Sequence, residues 1–260
     1  MNKIYLPVIF LFLLLCSVSA QETPIIEKWS DNTAYTITDH KWETGIFQSF
    51  RYGLTEKLEL RTNALILPVL PNVGIKVALG SVNNYVFASE HSVSCPSIFL
   101  NTMSMSGIGG LISPQYSFPF ILAINNSIIV SKPIGTSSLL TANAEVCFAV
   151  RGSKPDYQSS IDVVMLYPRM AHYYQGLSLR AGVSFKGLIA SRLYYEENAR
   201  LFAITRSNDN IFVENSGSVL WSTCKSLRIR AGYTLSWGMY PFGSHIQLGP
   251  VIDLIFGSRK

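Results

Sequence analysis

Charged side chains recur at every second position in several segments of the sequence. Lys57, Glu59 and Arg61 form one such set, and Arg228 and Arg230 form another. Alternate residues of a β-strand point to the same side of a sheet, so each set would present its charges on one face. A face of this kind can attract an anion, or its charges can be neutralised by opposite charges on neighbouring strands.

Nine charged residues fall on the polar side of such alternating segments. They are Lys57, Glu59, Arg61, Glu145, Arg180, Lys186, Arg228, Arg230 and Asp253. One interpretation is a cation-rich constriction that prefers anions. The other is a set of interior salt bridges that fill and plug a narrow barrel. Both interpretations remain open from the sequence.

His91, which lies beside Ser92 and close to Ser94, gives the one indication of hydrolase chemistry. A nucleophilic serine needs a base within hydrogen-bond reach and a third group that orients the base. Adjacent strand residues point to opposite faces, so His91 and Ser92 should not meet. We therefore interpret His91 as a wall or loop residue and predict no catalytic residue, which leaves enzyme activity uncertain.

The other histidines, His40, His172 and His245, lack the spacing of metal ligands. The glycine-rich stretch that begins at Gly107 is not followed by a helix pattern that could bind phosphate. We predict no metal and no cofactor. The formal net charge of +5 is mild and evenly spread, so no nucleic-acid partner is expected either.

The elements that position these charges are long alternating segments. LRIRAGYTLSW, from Leu227 to Trp237, sets apolar residues against arginines and small polar residues for eleven positions. A tilted strand needs about ten residues to cross a bilayer, whereas strands of soluble sheets average five or six. The chain is 48% hydrophobic and only 14% charged, against about 25% charged in soluble domains.

These features predict an all-β fold: a single closed antiparallel transmembrane β-barrel of about twelve strands, with ten as the alternative. The even number follows the rule for bacterial membrane barrels. No segment predicts a helix, and residues 90–116 show neither the period of two residues of a strand nor the period of 3.6 residues of a helix. The apolar phases should face lipid, and the charged phases should face the lumen.

The N-terminus has the order of a secretory signal peptide. Lys3 precedes a short apolar run, and Val18-Ser19-Ala20 provides a small-x-small cleavage site. We expect Sec-type export and cleavage near Ala20. The predicted organisation is a signal peptide at 1–20, a periplasmic N-terminal segment at 21–33 and a barrel domain at 34–260.

The hairpin sequence from Arg51 to Leu60, which contains Tyr52-Gly53-Leu54-Thr55, resembles a turn found in bacterial outer-membrane barrel proteins. Residues 107–114 and 243–253 are also similar to stretches of poorly characterised, porin-like members of that class. The resemblance implies a barrel in a bacterial outer membrane. It implies nothing about solute or chemistry.

Aromatic residues cluster near the expected strand ends. Amphipathic rings prefer the headgroup level of a bilayer and form girdles at both rims. We assign Trp42, Tyr52, Tyr173, Trp221, Trp237 and Tyr240 to these girdles.

The expected function is porin-like passage or uptake of a small solute, which could be anionic. A structural barrel with a plugged lumen and an outer-membrane lipid-modifying enzyme remain as alternatives. The expected partners are outer-membrane lipid and the barrel-insertion machinery.

Overall fold

The fold was obtained as a computed structural model, which describes residues 31–108, 111–156, 159–161, 163–205, 211–223, 226–240 and 243–258. The expected signal peptide at 1–20 lies outside the described residues. Residues 21–30 of the expected periplasmic segment lie outside them as well.

Twelve antiparallel strands close into one barrel, because β1 pairs with β12 and every other strand pairs with its neighbours in sequence. The prediction of a closed antiparallel barrel with twelve strands is therefore confirmed. The strands are β1 (Trp42–Gly45), β2 (Phe50–Thr55), β3 (Leu58–Thr62), β4 (Asn72–Val82), β5 (Tyr85–Ser94), β6 (Ile121–Ile134), β7 (Ser138–Arg151), β8 (Leu177–Ala190), β9 (Leu193–Ile204), β10 (Ile211–Ser222), β11 (Leu227–Tyr240) and β12 (Gly243–Gly257).

The two rims of the barrel differ. Short connections follow β2, β4, β6, β8 and β10 at one rim, which we call the turn rim. Long connections follow β3, β5 and β7 at the opposite rim, which we call the loop rim. This asymmetry matches the pattern of short turns and long loops in outer-membrane barrels.

The strands alternate between an apolar exterior and a polar interior. In β8, Leu179 and Val183 are exposed on the outside, whereas Ser178, Ser184 and Lys186 are buried inside. The same alternation in β11 and β12 leaves Trp237 and Ile252 on the outer surface. Period-two patterning thus fixes which side of each strand faces the lumen.

The structure also contains short helices, which the sequence did not predict. Those within the described residues are α1 (Ser97–Met103), α2 (Tyr167–Gln175) and a 3-10 turn at Ala64–Ile66. Each is too short to show a sustained period of 3.6 residues, which explains why the sequence pattern missed it. Within the described residues, no helix has the length and apolar character needed to cross a membrane.

Two segments enter the barrel from opposite rims. Residues 31–41, which we call the N-terminal segment, precede β1; Asp31, Thr33 and Ala34 are buried inside the lumen, and Thr36 reaches the turn rim, where its hydroxyl donates to the Glu56 carbonyl. Helix α2 folds in from the loop rim, where Tyr167, Ala171, Phe202, Phe212 and Tyr240 pack together. We predicted a periplasmic segment at 21–33. Of its described residues, Asp31 and Thr33 are buried inside the barrel.

Candidate functional site

The structure places eight of the nine predicted luminal charges on the interior side of their strands. They are Glu59, Arg61, Glu145, Arg180, Lys186, Arg228, Arg230 and Asp253. The ninth, Lys57, is exposed in the turn between β2 and β3 and does not face the lumen. Strand β3 begins at Leu58, one residue after Lys57, and periodicity alone does not locate a strand boundary this closely.

A cluster of ion pairs near the turn rim joins β1, β2, β3 and β11. The Arg51 guanidinium lies 2.7 Å from the Glu43 carboxylate and 3.8 Å from that of Glu59. Arg228 pairs with the same Glu43. These side chains are almost fully buried, so the pairs are shielded from solvent and strongly coupled.

Asp253 has a different role from the one that an interior carboxylate suggests. Its oxygens accept hydrogen bonds from the backbone N–H groups of Ile46, Phe47 and Gln48, at 2.8 to 3.1 Å. Asp253 therefore holds the connection between β1 and β2 in place. That connection directs the Gln48 side chain inward, where its Oε1 accepts a hydrogen bond from Arg230.

The N-terminal segment is anchored to the barrel wall by charge. The Asp31 carboxylate lies 3.1 Å from Arg61 and 3.7 Å from Arg230. Lys186 donates a hydrogen bond to the Asp31 backbone carbonyl. Burial would raise the pKa of Asp31, but Arg51, Arg61, Arg230 and Lys186 together hold that pKa well below its usual range.

Further contacts fix this segment to several strands. The Ala34 N–H donates to Ser131 Oγ at 2.8 Å, and the Ile37 N–H donates to Glu59 at 2.7 Å. The buried Lys76 ammonium donates to the Tyr35 carbonyl. The N-terminal segment is therefore hydrogen-bonded to three strands of the barrel wall: β3, β4 and β6.

A small pocket lies beside Asp31 in the interior of the barrel. The space enclosed there is about 20 Å³, and it is lined by Gln48, Lys186, Glu196, Arg228 and Arg230 among others. A water molecule needs roughly 10–15 Å³ of such volume. This pocket therefore has room for about one water molecule.

A larger chamber lies between the N-terminal segment and α2. Its volume is about 370 Å³. The charged residues that line it are Arg61, Glu90, Glu145, Arg169, Arg180 and Arg200. Four of these six side chains are arginines, so the chamber wall has more positive than negative charge.

Carboxylates neutralise this positive charge only in part. Arg180 pairs with Glu145 at 3.3 Å. Arg169 and Arg200 share one carboxylate, that of Glu214, at 2.6 and 3.6 Å. About a third of the surface of both side chains remains accessible. Two guanidinium groups that share one carboxylate retain capacity to bind an anion.

Helix α2 forms the wall of the chamber toward the loop rim. Arg180 donates to the Arg169 carbonyl at 2.7 Å, which ties the helix to β8. His172 and Tyr173 line the chamber from this helix. Burial first, and then the charge of Arg180, lower the pKa of His172 to about 3. His172 is therefore neutral at physiological pH and adds no charge to the chamber.

The predicted aromatic girdle is only partly on the outer surface. Trp42, Trp221 and Trp237 are exposed on the exterior side, and Tyr52 is half-buried in β2. Tyr173 and Tyr240 are buried inside the barrel, so their assignment to the girdle is wrong. Tyr240 shares the even-numbered interior phase of Arg228 and Arg230, and Tyr173 belongs to α2.

Several interior charges were not anticipated from the sequence. They are Asp31, Glu43, Arg51, Lys76, Glu90, Arg169, Glu196, Arg200 and Glu214. Most lie on strands, where alternate residues face the interior, so recognition of the strand would have identified them. Asp31 and Arg169 had no such signal, because they lie outside the strands. Among the residues described, no cluster of potential ligands is arranged to bind a metal ion.

Comparison with solved structures finds barrels of bacterial outer membranes. The chain is similar to the NanC porin, with 8% identity and a TM-score of 0.48 over 84% of this chain and 97% of that one. It is also similar to OmpT, an outer-membrane protein of Vibrio cholerae, with 9% identity and a TM-score of 0.41 over 80% of this chain and 62% of that one. The outer-membrane channel DcaP of Acinetobacter baumannii has 8% identity and a TM-score of 0.39 over 92% of this chain and 68% of that one. No protein-family model matches the chain, and no curated protein matches its sequence.

Proposed function

We propose that this chain is a porin-like barrel of a bacterial outer membrane that passes a small anionic solute when its N-terminal segment is displaced. The observation that carries the proposal is the arginine-lined chamber of about 370 Å³ inside a closed barrel. A chamber of this size admits a small organic or inorganic anion.

The exterior of the barrel supports membrane insertion. Its strands expose apolar side chains such as Leu179, Val183, Leu248 and Ile252. Closure satisfies the backbone hydrogen bonds of the strands within the sheet, which is the requirement for a β structure in lipid. The surrounding partner is then outer-membrane lipid, reached with the help of the barrel-insertion machinery.

The charge distribution supports an anion as the solute. Arg169, Arg180 and Arg200 lie on one side of the chamber, and the carboxylates of Glu145 and Glu214 pair with them. The accessible surface of Arg169 and Arg200 could bind a carboxylate or phosphate group through parallel hydrogen bonds. Such a site would concentrate anions at the midpoint of the passage.

The ion pairs of Asp31 inside the lumen support a gate. Because Arg61 and Arg230 of the wall hold the Asp31 carboxylate, we propose that passage requires the N-terminal segment to move. The same observation favours a second candidate, a structural barrel whose lumen stays plugged. The two candidates differ in whether the ion pairs of Asp31 ever open.

Conductance in planar bilayers tests the proposal. We expect the purified protein to show infrequent, small, anion-selective openings, and we expect Asp31→Asn to make them more frequent. Glu56→Gln, which changes an exposed carboxylate in the turn after β2, is the matched control. If correctly assembled Asp31→Asn protein is as silent as the wild type, the plugged structural barrel is the correct function. Protein that is soluble without detergent would overturn both candidates.

Export belongs to the same proposal. The chain would be secreted with residues 1–20 as a signal peptide, and cleavage near Ala20 would leave the N-terminal segment free to enter the lumen. Sequencing the N-terminus of the protein from isolated outer membranes tests this. A mature chain that still begins at Met1 would contradict it.

A further inference from the structure

Three polar side chains meet on the outer face of the barrel wall. In β5 and β6, the side chains of Glu90, Asn125 and Ser127 line the interior chamber. Their sequence neighbours Ser89, His91 and Asn126 therefore point to the outside, because successive strand residues face opposite sides. This trio belongs to none of the luminal clusters described above.

The strand register brings the trio together. His91 lies directly opposite Asn126 in the pairing of β5 with β6, and Ser89 precedes His91 by two residues on the same face. The distance from His91 Nδ1 to Asn126 Oδ1 is 2.8 Å, and the distance from His91 Nε2 to Ser89 Oγ is 3.2 Å. The three side chains thus form a continuous chain of hydrogen bonds.

The chain of hydrogen bonds also indicates the tautomer of His91. An amide oxygen only accepts hydrogen bonds, so the Nδ1–H of His91 donates a hydrogen bond to Asn126 Oδ1. In the neutral ring, Nε2 then has a free lone pair that accepts the Ser89 hydroxyl proton. This is the arrangement of nucleophile, general base and orienting group in a catalytic triad.

The surroundings are apolar. Ile75 of β4 lies opposite His91, and Val77 and Ile128 lie opposite Ser89 on the two neighbouring strands. Ile75 and Ile128 are exposed on the exterior, as is His91 itself. Placing three polar side chains in a lipid-facing wall costs free energy that their mutual hydrogen bonds offset only in part. A function at this position would explain why the chain carries them.

We propose that Ser89, His91 and Asn126 form the active site of a serine acyl hydrolase that cleaves an ester bond of a membrane lipid. The proposal rests on the membrane location proposed above but not on passage through the lumen. Ser89 is the nucleophile, His91 is the general base, and Asn126 is a positioning residue. Only 7% of Ser89 is exposed, so the proposed substrate is an extended acyl ester that approaches along the wall.

The reaction proceeds in two balanced stages. Ser89 Oγ attacks the ester carbonyl carbon while His91 Nε2 takes the hydroxyl proton. His91 then returns that proton to the departing alcohol oxygen, which releases a lysolipid and leaves an acyl group on Ser89. In the second stage His91 takes a proton from water, the hydroxide attacks the acyl carbon, and a fatty acid leaves as Ser89 regains its proton.

Fatty-acid release from phospholipid vesicles tests the proposal. The purified protein is reconstituted in vesicles of phosphatidylethanolamine and phosphatidylglycerol, and free fatty acid is measured over time. We expect Ser89→Ala and His91→Ala to lower release at least about 100-fold. Ser92→Ala is the matched control, because Ser92 is also adjacent to His91 but contacts Asn125 on the interior. It should retain wild-type activity.

Asn126 needs a readout that separates positioning from folding. We expect Asn126→Ala to lower kcat with little change in KM, because the base is misoriented while the lipid still binds. Asn126→Asp should recover most of the rate, since its carboxylate can accept the same hydrogen bond from Nδ1–H. If both variants assemble and both match the wild type, Asn126 has no positioning role and the triad is overturned.

A fluorophosphonate probe provides a second measurement that does not depend on the lipid chosen. It should label Ser89 in the wild type and in Ser92→Ala, and it should not label Ser89→Ala. Absence of both labelling and fatty-acid release from assembled wild-type protein would overturn the proposal, and so would equal release by Ser89→Ala. Failure of the channel would appear instead as silence in the conductance experiment, with lipid cleavage intact.

Discussion

The Asp31 carboxylate lies 3.1 Å from the Arg61 guanidinium, although Asp31 belongs to the N-terminal segment and Arg61 belongs to strand β3 of the wall. Arg61 also pairs with Glu59 and Glu90, so it retains partners when Asp31 leaves. The Arg61 site in the wall would therefore keep ion pairs of its own during the displacement of the N-terminal segment that we propose.

Asp31→Asn should open the lumen at neutral pH. The amide keeps the shape of the side chain but removes its charge, which weakens the attraction of Arg61 and Arg230. We expect the open probability to rise by about tenfold, equivalent to roughly 1.4 kcal/mol. Single-channel recording checks this, and a heat-modifiable band on a semi-native gel verifies assembly. An unchanged open probability in assembled protein would show that the charge of Asp31 does not hold the segment.

Acid should release the segment of the wild type only at low pH. The pKa of Asp31 in the closed state is held far below the value of 3.8 that it has when free. The stabilisation from its charge is therefore complete above the free value and is lost as pH falls toward the closed-state value. We expect equal conductance at pH 7 and pH 5, with openings increasing below about pH 4. Asp31→Asn should lack this Asp31-dependent transition, and a transition near pH 6 would contradict this assignment.

Arg200→Gln should shift ion selectivity toward cations. Arg200 shares the Glu214 carboxylate with Arg169, so its removal leaves that carboxylate paired and lowers the positive charge of the chamber. Reversal potentials in a salt gradient measure the shift, and they are best recorded in an Asp31→Asn background where openings are frequent. Arg192→Gln, in the exposed turn after β8, is the matched control and should leave selectivity unchanged.

Arg228→Ala should destabilise the barrel without changing selectivity. Arg228 is buried and paired with Glu43, and breaking a buried ion pair costs about 3–5 kcal/mol. Arg51 and Gln48 still contact Glu43, which should keep the loss near the lower end of that range. The temperature at which the barrel unfolds on a semi-native gel measures the effect. A shift in reversal potential at unchanged unfolding temperature would assign Arg228 to ion passage instead.

Ile229→Arg should impair assembly. Ile229 lies on the outer phase of β11, opposite the girdle residue Trp221 and close to the turn rim. The cost of a lipid-facing arginine falls from roughly 2–4 kcal/mol at the bilayer midplane to about 0–1 kcal/mol near the interface, so we expect a partial loss of assembled protein. The yield of heat-modifiable protein in the outer membrane is the measurement, with Ile229→Leu as control. Normal assembly of Ile229→Arg would mean that the outward side of β11 does not contact lipid.

The sequence by itself determined the parts of this structure that depend on local periodicity. Alternation in segments such as LRIRAGYTLSW identified long strands, a twelve-stranded barrel and an interior that contains Glu59, Arg180 and Arg230. These features are local because the period of two is a property of each strand. The same rule assigns Tyr240 to the interior, where it lies, and our girdle assignment was wrong because it considered only proximity to a strand end.

Only the tertiary structure decided which groups meet. Arg228 pairs with Glu43, and Arg230 lies near Asp31 and Glu196. Strand alternation shows only that a side chain faces the interior. Which interior side chains meet depends on the strand register and on the closure of the barrel. The lumen is narrowed by the N-terminal segment and α2, neither of which follows the strand period. Ser89, His91 and Asn126 meet for the same reason: the pairing of β5 with β6 places an asparagine opposite a histidine that is 35 positions away in the chain.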